Sequence, residues 1–397
     1  MNILWVTPDV PFHKQYGGSA DISARIEFAA QCGHKIHLIS FAKKPVDQHV
    51  RKNIEKFCSS VNIIQRPSNS LKILNPTRPY SASTRYSKAL PNIVDSTAKC
   101  FGIDVACLES IHVGEIVPIL KKAGIPIILR LHNIESQYFV ELGKSHKSLP
   151  LRLAYMWEAM KLIKYEKSIY SRSLKILCVS CHEAEKLKDQ YPNLYIKWLP
   201  IPIKLKSSAD ETCSSGPIIA FSVSMYLPNN LDAVEWFANE VFPRILCSVP
   251  EAEFWIIGRE PSKDVRELGL RKNIRITGEV PNSHCLLSKA RVVIVPIFHG
   301  AGVKIKILEA IGLGKLVIAT PEAIVGTSLE AGQHVLLAEG PEVFASYCIR
   351  ALEEPTAFQD IRRLARVYFE RYHTMEVVGK KFDSELSCLK LGEYRDV

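Results

Sequence analysis

Short apolar runs alternate along this chain with stretches in which apolar residues recur three and four positions apart. Runs bounded by Gly, Pro or charge predict strands Ile3 to Thr7, Lys35 to Phe41, Val105 to Leu108, Ile125 to Leu131 and Lys175 to Val179. Continuous rather than alternating apolar character is what a parallel sheet covered on both faces requires. Between the first two runs, Ala20 to Cys32 carries Ile22, Ile26, Ala29 and Ala30 at helical spacing. Residues 205–216 are small and polar, the best linker in the chain. The alternation then restarts. Strands are predicted at Ile218 to Val223, Phe254 to Ile257, Ile274 to Thr277, Val292 to Val295 and Leu316 to Ala319. Helices are predicted from Asn230 and over Val303 to Ile311. The pattern gives an α/β protein of two successive doubly wound units, 1–204 and 217–374. A final helix, roughly Met375 to Leu391 within 375–397, is expected to pack back across the junction.

A length of 397 residues suits two cores rather than one. With 47% hydrophobic and 23% charged residues the chain reads as globular, and no apolar run is long enough to span a bilayer. The start, Met1-Asn2-Ile3-Leu4-Trp5-Val6, reads as a buried strand rather than a leader. The expected location is therefore cytoplasmic, with the inner face of the plasma membrane as a further possibility. Eleven scattered cysteines fit that compartment. Cys178-Val-Ser-Cys181 has CxxC spacing but no second pair, so ordinary thiols are expected and no metal site. The net charge of +10 is uneven: residues 1–206 hold 30 Lys and Arg against 16 Asp and Glu, the remainder 21 against 25. The first half therefore suits an anionic partner.

Three places could carry chemistry. Tyr16-Gly17-Gly18-Ser19 lies between the first predicted strand and helix, where paired glycines let backbone approach a ligand, although G-x-G-x-x-G is absent. Against a plain turn this signal is weak taken alone. His132, in Arg130-Leu-His-Asn-Ile-Glu135, follows a predicted parallel strand at its carboxyl end, where α/β sheets place ligands; a merely hydrogen-bonded histidine fits as well. The richest stretch is Pro296 to Ala310, PIFHGAGVKIKILEA. A strand ends, a loop with Gly300 and Gly302 follows, and a helix begins near Gly302 with Lys304 and Lys306 in its first turn. Helix N–H groups and two cations suit a diphosphate, and Glu309, a turn on, suits paired ribose hydroxyls. A solvated helix with incidental lysines is the plain alternative.

These residues resemble the GT-B-fold retaining glycosyltransferases, the family 4 or group 1 type. The likeness rests on Glu309-Ala-Ile-Gly-Leu-Gly314-Lys-Leu-Val-Ile-Ala-Thr320, on Phe221 to Phe237, on Ile256-Ile-Gly258 and on Gly278-Glu-Val-Pro281. It spans nearly the whole chain and is densest from 218 to 337. It implies two Rossmann-like domains facing across a cleft, the first binding acceptor and the second a UDP- or GDP-sugar, with no metal and no other cofactor. It further implies retaining transfer of a hexosyl group to an acceptor hydroxyl in surface polysaccharide or glycolipid assembly. By the same resemblance His132, Lys304 and Glu309 are the catalytic candidates. Gly17, Gly18, Gly278, Val280, Gly300, Gly302, Val303 and Lys306 would bind the donor. Two positions depart from the family: Ala301 stands where the first Glu of E-x7-E is usual, and Val223 where a Gly is usual. They motivate one rival reading, a non-catalytic nucleotide-sugar-binding partner of another transferase; a nucleotide-sugar epimerase of the same fold is the other.

One stretch stands outside this scheme. His146 to Arg172 mixes Arg152, Lys161, Lys164 and Lys167 with Tyr155, Trp157 and Tyr170. As a helix it could be solvated or could lie on an anionic membrane surface. No nucleic-acid recognition motif accompanies it, and nucleic acid is not expected as a partner. The expected partners are a nucleotide-sugar donor and a glycan or lipid-linked acceptor.

Overall fold

The computed structural model describes residues 1–12, 17–66, 72–73, 75–146, 148–206, 216–225, 228–259, 261–300 and 302–389. The chain divides into two compact units, Met1–Pro202 with Val378–Val397, and Ile203–Val377. The division falls just before the polar stretch at 205–216, of which residues 207–215 lie outside the described residues.

The first unit holds a seven-stranded sheet made of β1 (Asn2–Thr7), β2 (Lys35–Ala42), β3 (Ser60–Gln65), β4 (Val105–Glu109), β5 (Ile127–Leu131), β6 (Lys175–Cys178) and β7 (Ile196–Trp198). Its order is β3-β2-β1-β4-β5-β6-β7, and every pairing is parallel. Along β1, Leu4 and Val6 enter one apolar core while Ile3 and Trp5 enter another on the opposite face. That is why the run reads as unbroken hydrophobicity. The helix Met375–Ser387 supplies Val378, Phe382 and Leu386 to the Trp5 face. Gly379 permits this: a Cβ there would lie 2.3 Å from the Phe28 ring.

The second unit holds six parallel strands, β8 (Ile218–Ser222), β9 (Glu253–Ile257), β10 (Ile274–Ile276), β11 (Val292–Val295), β12 (Leu316–Ala319) and β13 (Leu336–Leu337). Their order is β10-β9-β8-β11-β12-β13. Each unit thus starts with a central strand, builds to one side, then crosses to the other. Each has a switch point, at β1/β4 and at β8/β11, and ligands of open α/β sheets bind outside the carboxyl ends of the strands at such a point. Backbones crowd there in the second unit: a Cβ on Gly258 would lie 1.7 Å from the Val223 carbonyl oxygen. Gly258, after β9, therefore supplies the close approach, and Val223 is accommodated.

Several sequence expectations shift. The first helix runs Gly17–Gln31, so Gly17 and Gly18 occupy its first turn rather than the loop before it, and Tyr16 lies outside the described residues. The helix after β11 runs Ile305–Gly312, not from Gly302 or Val303, because Gly300 and Gly302 take positive φ values of 123° and 78° that no helix accepts.

Candidate active site

In the second unit the site grows from the loop between β11 and the helix Ile305–Gly312. Lys304 is the N-cap in extended conformation, and no side chain caps the helix. The first-turn N–H groups are therefore available to an anion. The Lys304 side chain turns back, donating from Nζ to the carbonyls of Gly300 and Gly302, both at 2.7 Å. Ala301 lies outside the described residues.

Lys306 is the more telling cation. Its Nζ donates to Asn230 Oδ1 at 3.1 Å and sits 4.8 Å from the centroid of the Phe221 ring on β8. Burial, and then repulsion from Lys304, push its pKa down to about 7, with Glu309 opposing. Among the described residues it makes no salt bridge. Asn230 is oriented by its own donation to the Ser224 carbonyl at 2.8 Å, and its neighbour Asn229 donates to His299 O at 3.0 Å, holding the glycine loop. Both asparagines were missed by sequence reasoning; residues 226 and 227 beside them lie outside the described residues.

Glu309 is also held. Its Oε1 lies 3.4 Å from His284 Nε2, while His284 Nδ1 accepts from the Lys206 backbone N–H at 3.1 Å. With Nδ1 accepting, Nε2 carries its N–H on the side that faces the Glu309 carboxylate. His284, buried in the helix Ser283–Lys289, links the loop after β10 to the helix of Glu309. That loop carries Gly278, at a φ of 66°, and Val280. Gly278, Val280, Gly300, Gly302, Val303, Lys304, Lys306 and Glu309 thus all lie in the second unit.

The first unit fills its switch point differently. Asp21, one turn into the first helix, is fully buried and gripped by both guanidiniums: Arg25 at 3.1 and 3.3 Å, Arg130 at 3.2 and 3.3 Å. His132 Nε2 lies 3.1 Å from the same carboxylate. Arg25 reaches on to Glu109 at 2.6 Å, and Glu109 also accepts from Trp5 Nε1 at 2.7 Å. Arg130 donates to the carbonyls of Leu199 and Pro200. Burial would raise the Asp21 carboxyl, but Arg130, Arg25 and His132 together hold it well below its ordinary value. His132 and the Gly17-Gly18 turn are thereby brought together through Asp21. Ligand atoms of Asp21, Glu109 and His132 come within 4.8 Å of one another, a spacing that could hold a metal ion. Both carboxylates, however, already carry guanidinium partners.

Beside His132 lies a second polar pair that sequence reasoning missed. His112 Nε2 is 3.5 Å from Glu135 Oε1. Burial, with Arg85, His132 and Arg66, pushes His112 down to about 3, so it is neutral. Burial, with Glu166 and Glu183, pushes Glu135 up to about 8. Cys178 is buried and its thiol is raised by burial, consistent with an inert core residue.

Residues 216–354 match the family model of glycosyl transferases group 1. The second unit is thus similar to the group 1 glycosyltransferases. An uncharacterized 44.6 kDa protein in the cps region of Klebsiella pneumoniae is 26% identical over 400 residues, covering 96% of this chain and 98% of that protein. Among solved structures, sucrose-phosphate synthase from Thermosynechococcus elongatus superposes with a TM-score of 0.71 at 14% identity, covering 99% of this chain and 100% of that chain. Anabaena HepE in complex with UDP and glucose gives 0.64 at 14% identity, covering 98% and 100%. The pneumococcal O-GlcNAc transferase GtfA in complex with UDP and GlcNAc gives 0.68 at 10% identity, covering 98% and 99%. At these identities the superpositions establish the fold, two Rossmann-like units of the GT-B type.

Proposed function

We propose that this protein is a glycosyltransferase that moves a hexosyl group from a nucleoside-diphosphate sugar, UDP- or GDP-linked, to a hydroxyl of a glycan or lipid-linked acceptor, with retention of configuration. Surface polysaccharide assembly is the setting, a reading supported by the relative in a cps region. The observation that carries the donor reading is Lys306. A cation held near neutrality by burial, at the mouth of an uncapped helix and outside the carboxyl end of a parallel strand, gains most from a bound diphosphate.

In this reading Lys306 and the first-turn N–H groups take up the charge that develops on the departing diphosphate, the kind of preorganised electrostatic help that usually dominates such catalysis. Lys304 joins them by releasing its own loop carbonyls. Glu309, aimed by His284, receives the ribose hydroxyls, and Gly278 and Val280 border the base. The first unit takes the acceptor, with His132 and the Gly17-Gly18 turn toward the transferred sugar.

Thermal-shift measurements with UDP, GDP and their sugars test the reading, since a ligand of the native state raises apparent stability by mass action. A shift with one base that disappears in Lys306→Met supports it; a shift of unchanged size in that variant removes the phosphate assignment. With the donor identified, incubation without acceptor separates the rivals. Conversion of donor to an isomer would reveal an epimerase, and binding without turnover across an acceptor panel a non-catalytic partner.

A further inference from the structure

The helix Leu149–Tyr170 is built inside out. Its charged residues Glu158, Lys161 and Glu166 are each 4% exposed. Seven of its large apolar residues are between 39% and 63% exposed: Leu151, on the far side, and six others, Leu149, Leu153, Met156, Trp157, Met160 and Ile163. At 3.6 residues per turn those six fall within roughly 120° of the circumference, a single continuous stripe. Globular helices turn such a stripe to the core, and exposed contiguous apolar patches of this kind mark interaction surfaces.

The orientation is fixed by bonds on the buried side. Glu158 pairs with Lys161 at 2.5 Å and accepts the backbone N–H of Tyr80. Lys161 donates to the carbonyls of Ile73 and Asn75, both at 3.3 Å. Glu166 accepts from the backbone and the hydroxyl of Ser136, at 3.0 and 2.5 Å. Rolling the apolar stripe inward would break all of these and strand buried charges. The stripe is therefore an outward face by construction.

Its charge says what covers it. Both acids of the helix point inward, so every exposed charged residue on it is a cation: Arg152, Lys164 and Lys167. The two lysines lie on the stripe itself, with stems long enough to bury their methylenes and keep their ammoniums in water. A second copy of this face would set these cations against themselves. We propose that this helix lies flat on a bilayer of anionic lipid, apolar stripe among the acyl chains and cations among the headgroups. No helix among the described residues is long and apolar enough to cross a membrane, so the attachment is interfacial.

The test uses the full chain and vesicles without sugar nucleotide, so its result is independent of the donor assignment. Flotation is measured with phosphatidylcholine alone and with equal parts phosphatidylcholine and phosphatidylglycerol. The expected result is at least about tenfold tighter binding to the anionic vesicles, with a blue shift of Trp157 emission that Trp157→Phe removes. Met160→Glu with Ile163→Glu, both exposed and outside the core, abolishes binding at unchanged melting temperature. Lys164→Gln with Lys167→Gln brings anionic binding toward the neutral level. No binding, equal binding to both vesicles, binding that survives Met160→Glu with Ile163→Glu, or a dimer in solution that those substitutions dissociate would each overturn the proposal.

Discussion

The two units place charge at the same point of the same topology and handle it in opposite ways. At the β1/β4 switch, Asp21, Glu109, Arg25 and Arg130 form a buried set of two anions and two cations that is neutral by itself. At the β8/β11 switch, Lys306 makes no salt bridge among the described residues and meets an amide oxygen and an aromatic face. The first arrangement is complete without a ligand and acts as architecture, presenting His132 at its edge. The second is incomplete, and an incomplete charge inside a packed loop is what a binding site for an anion looks like before the anion arrives.

Substitutions can sharpen that contrast, beginning with stability. Asp21→Ala leaves two buried guanidiniums short of a partner and should cost about 3–5 kcal/mol, read as a large fall in melting temperature or failure to fold. Lys306→Met should do the reverse: it removes a poorly solvated ammonium, leaves the fold intact and weakens sugar-nucleotide binding by about 2–3 kcal/mol, the worth of a charged hydrogen bond, measured by calorimetry. Should Lys306→Met unfold the protein while Asp21→Ala does not, the contrast is wrong.

The pH dependence follows from the same lysine. Free Lys306 titrates at about 7, and a bound diphosphate favours its charged form, so binding above that pH takes up a proton. Donor affinity should be flat below about pH 7 and fall by up to about tenfold per unit above it. Lys306→Met should flatten the profile. A smaller effect, about 1 kcal/mol, is expected of His284→Phe, which frees Glu309 to swing; it should weaken nucleoside-containing ligands and spare pyrophosphate. Lys304→Ala should be the mildest, a change of a few-fold, because Lys304 already satisfies its own loop. A loss as large as that of Lys306→Met would show that Lys304 leaves those carbonyls to bind.

What the sequence revealed and what it hid divide along physical lines. β11 and β12 occupy the predicted residues, Val292 to Val295 and Leu316 to Ala319, because central parallel strands are apolar on both faces and sharply bounded. β3, β7 and β13 went unnoticed. They are outlying strands of polar or minimal sequence, Ser60–Gln65, Ile196–Trp198 and Leu336–Leu337, with little periodicity to detect. The stretch from Gly300 to Glu309 stood out in the sequence since its glycines, cations and carboxylate are close together in the chain. The groups that tune it did not: Asn230 lies 76 residues from Lys306, and nothing in spacing joins His284 to Glu309. In the basic stretch 146–172 the composition was plain, but only the structure distinguishes which charges are inside.

The segment that rejoins the first unit from Val378 onward has a bearing on biogenesis. The Phe382 and Trp5 ring centroids lie 5.5 Å apart, and the Arg25 guanidinium sits over both rings, 5.6 Å from Trp5 and 5.5 Å from Phe382. Glu385 meets Lys175 and Lys197 at 3.0 and 2.6 Å. While the ribosome is still translating the second unit, the first lacks both the plug for its Trp5 face and the counter-ion for a fully buried lysine. The usual amino-to-carboxyl order of domain maturation therefore meets an obstacle: the earlier unit closes only after the later one has been translated, because the helix that completes it is encoded behind both.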